Sequence, residues 1–118
     1  MADRRPKLLV DAIRSIEAAQ GFAAGTDLAG YEADLLRRSA VERQLEILGE
    51  ACSRLARIDA ALFERAPGAQ LAIGLRNRII HGYDAVDNET VLDTVMHDLD
   101  PLRTVLQGWL AEVTAPPG

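Results

Sequence analysis

The chain has 118 residues and a formal net charge of −5 with histidine neutral, so it is long enough for one hydrophobic core and too short for two. Aromatic residues make up only 4% of it, and its many small and aliphatic residues favour closely packed helices over a sheet-rich fold. The negative charge argues against a general nucleic-acid-binding protein, because most proteins that bind the phosphate backbone are basic overall. A local basic cleft is still compatible with it, since the potential at a site depends mainly on nearby charges.

The sequence also indicates the cellular compartment. No apolar run approaches the roughly 20 residues that a membrane-spanning helix needs, and the charged segment 1–7 is not followed by the apolar core of a signal peptide. Cys52 is the only cysteine, which excludes an intrachain disulfide and suits a reducing environment. We therefore expect a cytoplasmic protein without membrane association.

Apolar residues recur at helical spacing along almost the whole chain. Pro6 suits the start of a first helix, and either Thr26 or Asp27 can cap a short turn after the glycines that interrupt it. The apolar positions of this helix are Leu9, Ile13, Ile16 and Ala19. The pattern predicts that this helix packs along one apolar face.

The second predicted helix is the longest and carries two different stripes. Its apolar seam consists of Val41, Leu45, Leu48, Cys52 and Leu55. A charged stripe, Arg43, Glu46, Glu50, Arg54 and Arg57, runs beside the seam. Such a stripe is typical of a solvated face with ion pairs at i,i+4 spacing, and it can equally face a functional site on a neighbouring helix.

Three further helices complete the predicted fold. A short helix covers about 59–66, and a motif helix covers about 69–80 with Leu71, Leu75 and Ile79 on its apolar side. A last helix follows Asp87 or Asn88, with Pro101 expected to kink it or restart it after an Asp100 cap. The apolar seam of this helix is Val91, Val95, Leu99, Leu102, Leu106 and Trp109. We predict an all-α, mostly antiparallel bundle of four to five helices, forming a single domain over residues 1–114 with a frayed tail at 115–118.

The motif helix ends in an unusual concentration of chemistry. Arg76, Asn77, Arg78, His81 and Tyr83 fall within eight residues. Histidine transfers protons near neutral pH, and arginine offers a fixed fork of donors that suits phosphate. Basic residues are also favoured in the last turn of any helix, where they offset the helix dipole. The residues alone therefore leave a phosphate-directed reaction and helix capping as alternatives.

The pattern Arg-x4-His-x-Tyr, formed by Arg76, His81 and Tyr83, resembles the signature of the HEPN superfamily, and within it the HepT-like toxins. A second block, 40–51, is similar to the segment Arg-Asn-Leu-Glu-Ile-Ile-Gly-Glu-Ala of those toxins. A third similarity joins 86–91 with 98–102, which resemble their closing helix. The three blocks occur in the family's order and spacing and cover most of the chain.

The resemblance implies a metal-independent endoribonuclease, without cofactor, that acts as the toxin of a type VII-like toxin–antitoxin pair. Arg76 and His81 take the catalytic positions, and Tyr83 takes the position at which a partner nucleotidyltransferase attaches AMP to silence the toxin. The partners it implies are this antitoxin, an RNA substrate and a second copy of the chain in a homodimer. Supporting positions near the site are Asn77, Arg78, Arg43, Glu46 and Glu50.

Two other functions remain compatible with the sequence. One is a non-catalytic HEPN module that binds nucleotides or its nucleotidyltransferase partner. The other is a helical dimerisation protein in which Arg76 and His81 only cap a helix. Cleavage of RNA that is lost on His81→Ala distinguishes the enzyme from both.

Overall fold

The computed structural model describes residues 2–82 and 86–116, and every regular element in these ranges is helical. The elements are α1 (Arg5–Ala23), α2 (Leu28–Ala33), α3 (Leu35–Ile58), α4 (Leu62–Arg65), α5 (Gly68–His81), α6 (Asn88–Asp93), a π-helical segment (Thr94–Asp98) and α7 (Leu99–Thr114). The predicted all-α fold is confirmed. The predicted tail, 115–118, lies partly outside the described residues.

The core lies where α3 packs against α1 and α5, and where α1 packs against α7. The predicted seams of α1, α3 and the last helix are buried at every position. Such seams place one apolar stripe of each helix against its neighbours. Because the seam of α3 is buried, the charged stripe beside it lies at the surface of the bundle, between α1 and α5.

Aspartate side chains begin three of the helices. Asp27 accepts a hydrogen bond from the Gly30 N–H at 2.8 Å, and Asp34 accepts one from the Arg37 N–H at 3.0 Å. Asp87 precedes α6 in the same way. Each carboxylate pairs with an N–H that has no partner within its helix, so the helix starts are set locally. Of the predicted alternatives, Asp27 rather than Thr26 and Asp87 rather than Asn88 form the caps.

The apolar side predicted for α5 is wrong at one position. Leu75 is buried, but Leu71 is 40% exposed. The buried face of α5 passes instead through Ala69 and Ala72 to Leu75. At Ala72 this face lies close against α3, since a Cβ atom placed on Gly49 would be 3.0 Å from the Ala72 carbonyl oxygen.

The closing helix is continuous but changes its register at the π-helical segment. The Leu99 N–H bonds to the Thr94 carbonyl, five residues back. Pro101, which has no N–H to donate to a helical hydrogen bond, is the third residue of α7 and follows closely after the π-helical segment. The predicted Asp100 cap is wrong: Asp98 holds the cap position, and Asp100 accepts a bond from Arg103 at 2.7 Å.

Within residues 2–82 and 86–116, no helix combines the length and the apolar character needed to cross a bilayer.

Candidate active site in the groove between α1, α3 and α5

The outer side of α3 forms the floor of a groove between α1 and α5, with a volume of ≈ 270 Å³. Its lining residues are Leu8, Asp11, Arg43, Glu46, Ile47, Glu50, Ala51, Arg54, Arg76 and Ile80. The groove therefore collects most of the charged stripe of α3 together with the arginine of the Arg-x4-His motif. Both charge signs are present, so individual contacts decide which groups can bind a ligand.

Arg76 enters the groove from α5 and is held there on both sides. Its Nη2 lies 3.0 Å from Glu50 Oε2, and 27% of its side chain is exposed. Its Nη1 donates to Asn77 Oδ1 at 3.3 Å. A guanidinium carries five N–H donors, so these two contacts orient Arg76 and leave donors for an anion in the groove.

Glu50 connects two arginines from different helices. One carboxylate oxygen accepts a hydrogen bond from Arg54 Nε at 2.9 Å, and the other pairs with Arg76. The hydrogen bond from Arg54, followed by the charge of Arg76, holds the pKa of Glu50 below its usual range. Glu50 is therefore an anion at neutral pH, and its charge fixes the position of Arg76.

Gly49 brings α3 and α5 close together at this point. A Cβ atom placed on Gly49 would lie 2.3 Å from Arg76 Cβ and 3.0 Å from the Ala72 carbonyl oxygen. The first distance is shorter than real Cβ contacts and the second is tighter than most of them, so a side chain at position 49 would force α3 and α5 to shift. Gly49 was not predicted from the sequence, although a glycine inside a long helix costs about 1 kcal/mol relative to alanine and so suggests a packing reason.

Arg43 and Glu46 line the same groove but pair with each other, at 3.1 Å. We predicted that both residues, with Glu50, face the motif. All three share the groove with Arg76, and Glu50 is the one that contacts it. Arg43 is 67% exposed, so it can reorient towards a ligand.

His81 is the last residue of α5 and is exposed. It does not line the groove, which Ile80 reaches instead. Side chains five residues apart on a helix point about 140° apart, so Arg76 and His81 of one chain face different directions. Asn77 and Arg78 are exposed on the same helix.

The backbone after His81 is ordinary. Gly82 has φ 163° and ψ 130°, an extended conformation that any residue adopts, so the helix does not need a glycine to end here. Tyr83 lies outside the described residues.

Across residues 2–82 and 86–116, no group of three or more His, Cys, Asp or Glu side chains is arranged to hold a metal ion.

Comparison with known proteins identifies the family. A family model described as "Ribonuclease HepT-like" matches residues 12–108. The chain belongs to the HepT-like family. The HepT-like match includes the whole of α3 and α5, and with them Glu50, Arg76 and His81. The family's description is that of a ribonuclease, which agrees with the activity class inferred from the motif. No solved structure matches this HepT-like chain significantly.

Proposed function

We propose that this HepT-like protein is a metal-independent endoribonuclease in which Arg76 binds the scissile phosphate and His81 transfers a proton. The observation that carries the proposal is the placement of Arg76. Glu50 holds it in a groove with unused donors, on the helix whose last residue is the exposed His81. A residue that only caps its helix has no need of a second helix to orient it.

RNA supplies its own nucleophile, so the protein has to supply proton transfer and positive charge. The 2′-oxygen attacks phosphorus while a base takes its proton, and the 5′-oxygen leaves as an acid returns a proton to it. The products are a 2′,3′-cyclic phosphate and a 5′-hydroxyl. Arg76 stabilises the negative charge that accumulates on the phosphate oxygens in the transition state.

A second copy of the chain supplies the geometry that one chain lacks. Arg76 and His81 diverge by about 140° on an ideal helix. In a homodimer with the two α5 helices facing each other, each arginine can meet the other copy's histidine. Two histidines then act as base and acid on one phosphate, and dimerisation is part of the proposal for that reason.

Cleavage of RNA in the presence of EDTA tests the reaction. We expect His81→Ala to lower the rate by about 10²- to 10⁴-fold, the usual contribution of a general acid or base. His97→Ala is the matched control, because His97 is the other histidine and is exposed on the π-helical segment. Electrophoresis and end-group analysis measure both the rate and the products.

Two results would contradict the proposal. Cleavage that vanishes in EDTA and returns with magnesium would show a metal-dependent enzyme. Absence of cleavage by folded, unmodified protein on several RNAs would favour the non-catalytic HEPN module.

We further propose that the protein is the toxin of a toxin–antitoxin pair and is silenced at Tyr83 by a partner nucleotidyltransferase. The Tyr83 hydroxyl oxygen attacks the α-phosphorus of ATP, pyrophosphate leaves, and the hydroxyl proton goes to a base on the partner. The added AMP is a bulky anion two residues from His81. It would compete with RNA for the cations of the site.

Tyr83→Phe protein is expected to keep its ribonuclease activity when the nucleotidyltransferase and ATP are present, while wild type loses activity and gains the mass of one AMP. Tyr31→Phe is the control, since Tyr31 is completely buried and its hydroxyl has no hydrogen-bond partner among the described residues. Intact-mass spectrometry alongside the activity assay measures both effects. If the partner silences Tyr83→Phe as well, modification there is not the switch.

A further inference from the structure

We propose that the groove continues into a binding site for the RNA backbone next to the scissile phosphate, with Arg4 and Arg57 as its phosphate-binding side chains. This inference rests on the proposed function, because Arg76 marks the scissile phosphate. It adds a second subsite, formed by the start of α1 and the end of α3, which the motif does not include.

The two sites are physically continuous. A second groove, of ≈ 390 Å³, adjoins the first one. It is lined by Arg4, Leu8, Glu50, Arg54, Arg57 and Ile58. Leu8, Glu50 and Arg54 line both grooves, so a strand of RNA bound at Arg76 can follow α3 directly into the second groove.

Positive charge is left over at the far end of this path. Together the two grooves are lined by five arginines and three carboxylates, in a chain whose net charge is −5. The carboxylates are already paired: Asp11 with Lys7, Glu46 with Arg43, and Glu50 with Arg54 and Arg76. Among the described residues Arg4 and Arg57 have no ion-pair partner, and both are exposed.

Arg57 has a structural alternative, since it lies in the last turn of α3 and offsets the helix dipole there. That effect acts through its charge and uses none of its hydrogen-bond donors. Arg4 lies at the N-cap of α1, where a positive charge faces the positive end of the helix dipole. Its position is therefore unfavourable for α1, and a bound anion would offset that cost.

The residues that line the two grooves also indicate how RNA binds there. Ile58 is 47% exposed beside the arginines, and no aromatic side chain lines either groove within the described part of the chain. Without aromatic platforms for base stacking, binding depends on phosphate contacts and shows little sequence preference. We therefore expect RNA to bind here through its phosphates, with a strong dependence on salt concentration.

The experiment measures binding without cleavage. Fluorescence anisotropy follows a labelled single-stranded RNA as it binds to His81→Ala protein, with and without the added pair Arg4→Gln and Arg57→Gln. We expect the pair to raise Kd roughly tenfold at low salt and to lower the slope of log Kd against log salt by about 1.4, the value for two phosphate contacts on a single strand.

Arg14→Gln is the matched control, because Arg14 is an exposed arginine of α1 that lines neither groove. An unchanged Kd in the double variant, or an equal loss with Arg14→Gln, overturns the inference. So does a double variant that binds RNA normally but no longer binds a nucleotidyltransferase partner, since the arginines would then form a protein-docking surface.

Failure of the backbone site and failure of the catalytic proposal give different results. If wild type cleaves no RNA but the double variant still weakens RNA binding, the backbone site stands and the ribonuclease assignment fails. If wild type cleaves RNA and the double variant binds as the control does, the assignment stands and the backbone site fails.

Discussion

At the scale of single residues, Glu50 orients Arg76, the side chain that we propose binds the scissile phosphate. It is the carboxylate that joins Arg76 of α5 to Arg54 of α3. Because it acts through Arg76, we assign it a positioning role. An acidic residue beside a phosphate site weakens anion binding through its charge, so its presence makes sense only if orientation of the guanidinium outweighs that repulsion.

Glu50→Gln is expected to lower kcat/KM about tenfold, with most of the loss in kcat, because a misplaced guanidinium fails mainly in the transition state. Glu50→Asp should recover part of the loss. Glu112→Gln is the control. Glu112 lies on α7, away from the groove, and its carboxylate pairs with Arg65 of α4. Equal kinetics for Glu50→Gln and Glu112→Gln would remove Glu50 from the site.

The same carboxylate makes stability depend on pH. Since its pKa is lowered in the folded protein, its contribution is fully present above the usual glutamate value of 4.5 and is lost as the pH falls through the lowered pKa. At pH 7 we expect the free energy of unfolding of wild type to exceed that of Glu50→Gln by less than about 1 kcal/mol, since the Glu50 side chain is partly exposed. Urea titrations across acidic pH should show the two stabilities converging; a constant difference would contradict this.

At the scale of elements, the contact between α3 and α5 depends on small residues. Gly49→Ala places a methyl group against Arg76 and the Ala72 carbonyl, and we expect a loss of about 1–3 kcal/mol with a parallel loss of RNA cleavage. Gly74→Ala on α5 is the control, since nothing lies within 4 Å of its added Cβ. Alanine there should stabilise the helix by about 0.5–1 kcal/mol. Thermal unfolding of the two variants should shift in opposite directions; equal shifts would contradict the packing argument.

This contact also shows how far the sequence predicts the structure. The buried seams of α1, α3 and the last predicted helix could be predicted because helical periodicity alone selects their buried positions. Leu71 was misassigned because both Leu71 and Ala72 continue the helical spacing that leads to Leu75, and the partner helix that decides between them is not visible in a local pattern. The ion pair of Glu50 with Arg76 joins residues 26 positions apart. The sequence could therefore predict that the charged stripe of α3 faces the motif helix, but not this particular contact.

The π-helical segment was not predicted either. It depends on the register of backbone hydrogen bonds, which apolar spacing does not reveal. The seam of the last helix runs continuously through it, from Val91 and Val95 to Leu99. Periodicity therefore identified the buried side chains correctly while missing the backbone that carries them.

At the scale of the whole molecule, the divergence of Arg76 and His81 predicts that activity belongs to a pair of chains. If both copies must supply a histidine, a mixed pair of wild type and His81→Ala is inactive. After subunit exchange at equal amounts, random pairing leaves about a quarter of the wild-type activity, whereas independent chains would leave about half. Cleavage rates of co-refolded mixtures measure this directly, and a linear dependence on the wild-type fraction would contradict a shared site.

Cys52 offers a practical consequence for such measurements. It is the only cysteine in the sequence, it is completely buried, and burial raises the pKa of its thiol to about 12. Reagents that need an accessible thiolate therefore leave it untouched. A cysteine introduced on the surface, at exposed Arg14 for example, can carry a fluorophore or spin label in the otherwise unaltered chain, so distances between two copies become measurable without rebuilding the core.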